Sequence, residues 1–228
     1  MKLFLLPGLD GTGLLFRQFI KRLPNTIEPV IVSLPETGDQ STTALARAIK
    51  AELPEKEPYF LLGESFSGRI AFEIARNAAD NLRGLFFVAS FLTRPAKAAI
   101  PVFPATPVKA LLKFPILSAL AKSWMTGNRQ ADDEWNDILV ALGKTDNQTL
   151  LKRMSALKTL KKPSHTCDLP SLHIVPTQDK LVDERTSGSI AHYCASLDRQ
   201  TIEGPHFILQ THPKECAKVV SDFLKKCK

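Results

Sequence analysis

The amino-acid sequence predicts an α/β fold: a doubly wound, mostly parallel six-stranded sheet with helices on both faces and a helical cap insertion. Two observations support this fold class. Short apolar runs without alternation, namely LFLL, VIVSL, YFLL and LFFVA, are typical of strands that are covered on both faces. These runs alternate with helical patterns, and such alternation favours right-handed crossovers in a parallel sheet.

The predicted strands are short, mostly apolar runs in segments bounded by Pro, Gly and Asn. The six strands are Leu3 to Leu6, Val30 to Leu34, Tyr59 to Leu62, Leu85 to Ala89, Leu172 to Val175 and Arg199 to Glu203. Between the second and third strands, the segment STTALARAIKAEL begins with a capping Ser41 and has an apolar face, so it predicts an amphipathic helix. Near the end of the chain, Pro213 suits a first helical turn, and Cys216 and Cys227 fall on the apolar stripe of the helix that follows.

One segment, residues 93–165, breaks this alternation because it is rich in proline at first, then helical, and has no convincing strand. We expect a helical cap inserted between the fourth and fifth strands of a single domain that spans residues 1–228. Its apolar content predicts that it covers an oily pocket, and an extra helical layer without substrate contact is the alternative. The cap's large aromatic residues are Phe103, Phe114, Trp124 and Trp135.

Charge and cysteine usage exclude several classes of protein. The net charge of +7 is spread along the chain without a basic stripe interleaved with aromatic residues, which argues against a nucleic-acid partner. A weak preference for anionic substrates or membrane surfaces remains open.

The four cysteines form no C-x-x-C pair and have no histidine at ligand spacing, so we expect free thiols and no metal site. No apolar segment approaches the roughly 20 residues of a transmembrane helix. We therefore expect a cytoplasmic protein with no transmembrane segment.

The segment GESFSG, Gly63 to Gly68, follows the apolar run YFLL and precedes a helical pattern. It is close to G-x-S-x-G, in which a serine on a sharp strand-to-helix turn projects its hydroxyl over the sheet. Ser65 is therefore a candidate nucleophile, with the small residues Gly63 and Ser67 two positions away on either side. Ser67 meets the need for a small residue only approximately, and an ordinary serine in a turn is the alternative.

The segment LPGLDGTG leaves the first strand, and its glycines fit neither G-x-G-x-x-G nor a phosphate loop. A nucleotide cofactor is therefore poorly supported. We expect Gly8 and Gly11 to shape a loop whose Leu9 backbone N–H, together with that of Phe66, points at a developing oxyanion. An ordinary turn is the alternative.

Two further segments supply an acid and a base. TQDKLVD places Asp179 and Asp183 just past the fifth strand, and either could aim a carboxylate across the top of the sheet. GPHF places His206 three residues past the sixth strand, in a loop that contains glycine. The other four histidines are expected in the cap, strands or helices.

The order Ser65, Asp179, His206, together with the four segments above, resembles the α/β-hydrolase superfamily. The resemblance covers essentially the whole chain outside the cap. It implies that Ser65 is the nucleophile, Asp179 the acid and His206 the base, with Leu9 and Phe66 as oxyanion donors. It also implies that the second strand lies outside the first, that the first neighbours the third, and that the ligand crevice lies between the Leu9 loop and Ser65. The sequence departs from the family in having Ser67 for the usual glycine and in lacking two initial strands.

The function that this resemblance implies is a serine hydrolase that cleaves a small-molecule carboxylic ester or thioester through a Ser-His-Asp triad and an acyl-enzyme, without a cofactor. An apolar acyl group is expected from the cap. Carbon–carbon hydrolysis, a lyase step or acyl transfer with the same triad remains open. A non-catalytic protein that binds a small ligand is the alternative from another class, and a flavodoxin-like nucleotide-binding protein would leave His206 unexplained.

Overall fold

A computed structural model describes residues 1–76, 80–95, 108–127 and 131–227. Its sheet has six strands, all paired in parallel, in the order β2-β1-β3-β4-β5-β6. The strands are β1 (Lys2–Leu6), β2 (Glu28–Ile31), β3 (Tyr59–Glu64), β4 (Leu82–Val88), β5 (Ser171–Pro176) and β6 (Leu197–Ile202). The predicted fold class and strand order are confirmed. The order reverses between β1 and β3, so a crevice opens there at the carboxyl ends of the strands.

The second strand differs from its prediction. It spans Glu28–Ile31 rather than Val30 to Leu34, and it lies at the edge of the sheet with Ile31 42% exposed. The expectation that VIVSL forms a strand covered on both faces is therefore wrong. Val32 and Leu34, which follow the strand, are buried in the core that also contains Leu45. The Val32 N–H still donates to the Leu5 carbonyl of β1 at 3.1 Å, and the Leu34 N–H donates to the Gly11 carbonyl, in the loop after β1, at 2.9 Å.

Ten α-helices surround the sheet in the part of the chain that the structure describes. They are α1 (Arg17–Ile20), α2 (Thr42–Lys50), α3 (Phe66–Ala75), α4 (Val108–Leu111), α5 (Pro115–Thr126), α6 (Asp132–Lys144), α7 (Asn147–Lys158), α8 (Glu184–Gly188), α9 (Ile208–Thr211) and α10 (Pro213–Lys226). The two faces of the sheet carry separate apolar cores. Leu45 of α2 and Phe72 of α3 belong to one core, and Phe19 of α1 and Leu224 of α10 belong to the other.

Local sequence signals explain where two of these helices begin. The Ser41 hydroxyl accepts a hydrogen bond from the Ala44 N–H at 3.3 Å and so caps α2 as expected. Helix α10 begins at Pro213, whose missing N–H costs nothing in a first turn. Cys216 of α10 is fully buried. The buried residues of α2 and α10 belong to the two cores on opposite faces of the sheet.

The cap segment contributes helices α4 to α7 between β4 and β5, and its described residues contain no strand. Trp135 and Ile138 of α6 pack against Leu15, which follows β1, so this helix lies next to the carboxyl edge of the sheet. The side chain of Phe114 is 62% exposed. Phe103 and most of the proline-rich part of the segment lie outside the described residues.

Among the described helices, none combines the length and the apolar character that crossing a membrane requires. The same residues contain no group of three or more His, Cys, Asp or Glu side chains that could hold a metal ion. All four cysteines are free thiols, and Cys167, Cys194 and Cys216 are buried.

Candidate active site

Ser65 lies on a sharp turn between β3 and α3. Its backbone has φ 48° and ψ −112°, a conformation that residues other than glycine adopt only under strain. A Cβ on Gly63 would lie 2.4 Å from the carbonyl oxygen of Ser67, so only glycine fits at that position. The sequence therefore forms the predicted strand-turn-helix, with Ser65 at the carboxyl end of a central strand.

The second position without room for a side chain is Gly68, one residue beyond the position that the motif predicts. A Cβ there would lie 1.7 Å from the Ser90 hydroxyl oxygen. Ser90 follows β4, and its hydroxyl donates to the Ser65 carbonyl at 2.7 Å. Because the Ser65 N–H donates to the Val88 carbonyl at 2.8 Å, both backbone groups of Ser65 are held by the end of β4.

Ser67 is fully buried, and its hydroxyl donates to the carbonyl oxygen of Pro7. Glycine at this position could not make that bond. Pro7 begins the loop after β1, so the residue that departs from the motif ties the Ser65 turn to the loop of Leu9.

His206 lies between Ser65 and Asp179. Its Nε2 is 3.0 Å from the Ser65 hydroxyl oxygen, and its Nδ1 is 2.7 Å from Asp179 Oδ2. The other carboxylate oxygen of Asp179 accepts from the backbone N–H groups of Leu181 and Val182 at 2.8 and 2.9 Å. The structure thus brings together Ser65, His206 and Asp179 from loops that follow β3, β6 and β5.

Asp183, the other candidate acid, has a different place. It precedes α8, and its carboxylate accepts from the Thr186 N–H at 3.0 Å and from the Thr186 hydroxyl at 2.8 Å. This is the arrangement of a helix N-cap. Asp179, rather than Asp183, is the carboxylate in contact with His206.

Burial and charge shift the pKa values of this pair in opposite directions. Burial alone would lower the pKa of His206, but the charge and hydrogen bond of Asp179, with the charge of Glu64, raise that pKa above its usual value. Burial alone would raise the pKa of Asp179, yet His206 and the two backbone N–H donors lower it below its usual value. The geometry therefore favours an ionised Asp179 that stabilises a protonated His206.

Glu64, directly before Ser65, is a second buried carboxyl group in the site. Burial raises its pKa to about 7, the nearby charge of Asp10 adds to this effect, and a hydrogen bond from Gln210 Nε2 at 3.0 Å opposes it. The side-chain oxygen of Gln210 has no donor among the described residues. Glu64 is not singled out from the sequence, because the predicted strand ends at Leu62, whereas β3 continues to Glu64. An acidic residue directly before a candidate nucleophile, two positions past a buried strand, is the signal that identifies it.

The two predicted oxyanion donors are close to Ser65, since Phe66 follows it in the chain and Leu9 follows Gly8, which approaches Ser65 in space. Phe66 is the first residue of α3, and an N–H in the first turn of a helix has no acceptor within that helix. Leu9 lies in the loop after β1, and the described residues provide no acceptor for its N–H. Gly8 is next to Ser65, since a Cβ on Gly8 would lie 4.0 Å from the Ser65 Cβ.

A cavity of about 530 Å³ lies between these residues and the cap. Ser65, His206, Glu64 and Asp10 contribute to one part of its wall. The rest is mainly apolar and includes Leu15, Phe91, Leu112, Leu117, Leu120, Trp124, Met125, Ile138, Leu142, Leu150, Met154, Leu157, Leu181, Val182 and Phe207. Of the aromatic cap residues predicted to enclose a pocket, Trp124 lines this cavity, whereas Phe114 and Trp135 are not part of its wall.

The fold and this arrangement are those of an α/β-hydrolase. The family model described as serine aminopeptidase, S33, matches residues 39–209, and the chain belongs to that family. This confirms the resemblance to α/β-hydrolases and the prediction that the chain is an enzyme of that type. No match was found among curated proteins.

Solved structures of similar fold include two esterases and a thioesterase. The esterase EaEST from Exiguobacterium antarcticum has a TM-score of 0.80 and 14% identity, over 99% of this chain and 92% of that one. A thermophilic esterase from Thermogutta terrifontis has a TM-score of 0.78 and 16% identity, over 100% and 90%. RedJ, a thioesterase from the prodiginine biosynthetic pathway in Streptomyces coelicolor, has a TM-score of 0.68 and 21% identity, over 99% and 90%. At these identities the likeness concerns the fold.

Proposed function

We propose that this chain is a serine hydrolase that cleaves a carboxylic ester or thioester with an apolar acyl group. The observation that carries the proposal is the chain of contacts from Asp179 through His206 to Ser65, in the wall of a largely apolar cavity. A serine hydroxyl is a poor nucleophile unless a base removes its proton, and a base within 3.0 Å meets that need.

In the proposed mechanism, His206 Nε2 takes the proton of Ser65 as the hydroxyl oxygen attacks the substrate carbonyl. Asp179 accepts a hydrogen bond from the Nδ1–H of His206 and stabilises the imidazolium that forms. The N–H groups of Leu9 and Phe66 donate to the oxyanion of the tetrahedral intermediate. His206 then protonates the leaving alcohol or thiol, and a water activated by His206 releases the acyl group from Ser65. Losing one oxyanion donor in such a site costs on the order of 3 kcal/mol of transition-state stabilisation.

The cavity wall supports an apolar acyl group. A volume of about 530 Å³ falls within the range of roughly 300–1,000 Å³ that is typical of small-molecule sites. Residues 93–165 are proposed to be a cap within one domain of residues 1–228, and they supply much of this wall. The net charge of +7 suits an anionic leaving group such as a phosphopantetheine thiol better than it suits a cationic one.

An aminopeptidase needs a fixed negative charge to hold the amino group of its substrate, and the cavity wall contains two carboxyl groups, those of Asp10 and Glu64. Asp10 Oδ2 already accepts from both the N–H and the hydroxyl of Thr12, at 2.9 and 2.6 Å. Glu64, with its pKa of about 7, carries only part of its charge near neutral pH. The mainly apolar remainder of the wall favours an ester or thioester over a peptide with a free amino group.

Two other parts of the proposal concern surroundings rather than chemistry. Four free cysteines suit the reducing conditions of the cytoplasm. The basic residues are scattered rather than gathered into a stripe, so the proposed partners are small molecules and not nucleic acids.

The test uses a fluorophosphonate probe, a series of p-nitrophenyl esters from acetyl to dodecanoyl, acyl-pantetheine thioesters and aminoacyl p-nitroanilides. Wild type and Ser155→Ala, which changes an exposed serine of α7, are expected to react with the probe and to hydrolyse esters or thioesters. Ser65→Ala is expected to lose probe labelling and to retain less than about one thousandth of kcat. Turnover of the p-nitroanilides alone would replace the acyl proposal with peptidase activity. Absence of a Ser65 adduct in wild type, or a tightly bound ligand without turnover, would refute it.

A further inference from the structure

The loop from Pro7 to Gly11 has a hydrogen-bond donor at each of its carbonyl oxygens. Ser67 donates to Pro7, as described above. The Gly11 N–H donates to the Gly8 carbonyl at 3.1 Å, and the Leu34 N–H donates to the Gly11 carbonyl at 2.9 Å. The donors to the two remaining carbonyls, those of Leu9 and Asp10, come from the cap.

Arg153 of α7 supplies both of these contacts. Its Nη1 donates to the Leu9 carbonyl at 2.8 Å and to the Asp10 carbonyl at 3.0 Å. Thr145, which follows α6, adds a hydroxyl donor to the Asp10 carbonyl at 2.6 Å. Two residues of the cap insertion therefore hold a loop that belongs to the hydrolase sheet.

The site around the guanidinium is built for arginine. Arg153 is fully buried, and its other N–H groups donate to Gln40 Oε1 at 2.9 Å and to the Pro35 carbonyl at 3.0 Å. Gly11 has φ +73°, and a Cβ there would lie 2.2 Å from Arg153 Nη1. A charged group is costly to bury unless such partners surround it. The acceptors here are neutral oxygens of the loop after β1 and of the segment after β2.

We propose that Arg153 is a positioning residue that aims the Leu9 N–H at the carbonyl oxygen of a substrate attacked by Ser65. The inference rests on the proposed function, since it takes Leu9 as an oxyanion donor. In a planar trans peptide, the Leu9 N–H points opposite to the Gly8 carbonyl. The Gly8 carbonyl accepts a hydrogen bond from the Gly11 N–H. The carbonyls of the two residues in between, Leu9 and Asp10, are the ones that accept from Arg153. Releasing Arg153 therefore loosens the turn that sets the direction of the Leu9 N–H.

This assignment gives the cap a role in the chemistry as well as in enclosing substrate. A purely structural arginine would affect stability and leave the turnover of folded enzyme unchanged. A positioning arginine affects kcat, because the oxyanion exists only after attack on the carbonyl. KM for a short ester depends little on it.

The experiment compares Arg153→Met with Arg69→Met. Arg69 is the matched control because it is also a buried arginine that donates to two carbonyl oxygens, those of Leu92 and Lys161, away from the Leu9 loop. Both variants are expected to have a lower Tm. For a short p-nitrophenyl ester, Arg153→Met is expected to lower kcat by about tenfold or more with KM within about twofold, while Arg69→Met keeps kcat within about twofold.

The inhibition constant of a transition-state analogue would not change if Arg153 only stabilised the fold. A trifluoromethyl ketone forms an oxyanion when it adds to an active-site serine, so its inhibition constant for Arg153→Met is expected to rise by the same factor as kcat/KM falls. Inhibition by the product carboxylic acid is expected to stay within about twofold of wild type. Equal loss of kcat in both arginine variants, or a loss confined to KM, would overturn the inference.

Thr145→Val keeps the test decisive if Arg153→Met does not fold. This variant removes one donor to the Asp10 carbonyl and preserves the shape of the side chain. It is expected to lower kcat by about threefold or more at constant KM, since one hydrogen bond contributes on the order of 1 kcal/mol. Unchanged kcat in Thr145→Val would then overturn the inference. If wild type neither labels at Ser65 nor turns over, the proposed function itself fails, which is a distinct result.

Discussion

Replacing Glu64 by Gln removes a buried charge from the wall of the cavity and hardly changes the size of the side chain. The Gln210 Nε2 donor, 3.0 Å from Glu64 Oε1, keeps an acceptor in the variant. The expected consequence is a difference in stability between wild type and variant that depends on pH. It follows from the pKa of Glu64, which burial raises from 4.5 to about 7.

The sign follows from proton binding. Between pH 4.5 and pH 7 the folded protein keeps the Glu64 proton and the unfolded chain has lost it, so folding becomes less favourable as the pH rises. With these two pKa values, linkage gives wild type a loss of about 2.5 kcal/mol in the free energy of unfolding between pH 5 and pH 8 from this group alone. Glu64→Gln does not have this loss, so its stability relative to wild type is expected to increase by that amount.

The assay is urea unfolding of both proteins, followed by circular dichroism at pH 5, 6.5 and 8. Glu52→Gln is the control because it removes an exposed carboxylate, and its effect is expected to stay within about 0.5 kcal/mol at each pH. A difference between wild type and Glu64→Gln that is the same at all three pH values would refute the reasoning. Glu64 would then be ionised throughout or neutral throughout.

Three further predictions concern activity and packing. In wild type, kcat/KM for an ester is expected to fall as the pH decreases through the pKa of His206, because only the neutral imidazole accepts a proton. In Glu64→Gln this fall is expected at lower pH, since the charge of Glu64 helps to raise the pKa of His206. A fall at the same pH in both proteins would exclude an effect of Glu64 on His206. His173 is fully buried, neither ring nitrogen has a partner among the described residues, and burial lowers its pKa to about 3. Between pH 8 and pH 5, wild type is therefore expected to lose about 2 kcal/mol of unfolding free energy that His173→Leu retains, as measured with urea, and equal losses would contradict this. Gly68→Ala is expected to destabilise the folded protein by about 1–3 kcal/mol and to lower kcat, since the new Cβ displaces Ser90. Gly143→Ala is the control and should not lower Tm, because a Cβ there has nothing within 4 Å. Similar Tm values for the two variants would refute the steric argument.

Much of the fold could be predicted because the four central strands, β1, β3, β4 and β5, are buried on both faces and therefore lack alternation. The second strand was misplaced for the opposite reason. It is an edge strand whose residues are half or fully exposed, and the more apolar residues Val32 and Leu34 that follow it are buried in the core with Leu45 of α2. Burial against a helix just past a strand leaves the same apolar run in the sequence as burial within a sheet.

The residues around Ser65 were predicted because the carboxyl ends of parallel strands meet at one edge of a sheet, so residues distant in sequence come together there. Whether Asp179 or Asp183 contacts His206 depended on loop conformation. The two residues are only four positions apart, yet Asp179 contacts His206 and Asp183 caps α8. The position of the second glycine depended on Ser90, which belongs to another strand. Arg153 lies three residues after Leu150 and four before Leu157, on the buried face of α7. An arginine in that register can extend to the surface, so only its tertiary contacts identify its role.

The contacts of the site span long stretches of the chain. His206 lies 141 residues from Ser65 and 27 from Asp179, and Arg153 lies 144 residues from Leu9. Contacts of this range close late in folding, after local helices have formed, because loop closure costs entropy before the contact repays it. Recovery of catalytic turnover during refolding should therefore lag behind recovery of helical signal. In this protein, enzyme assays report on completed assembly of the chain, which spectroscopy of secondary structure does not.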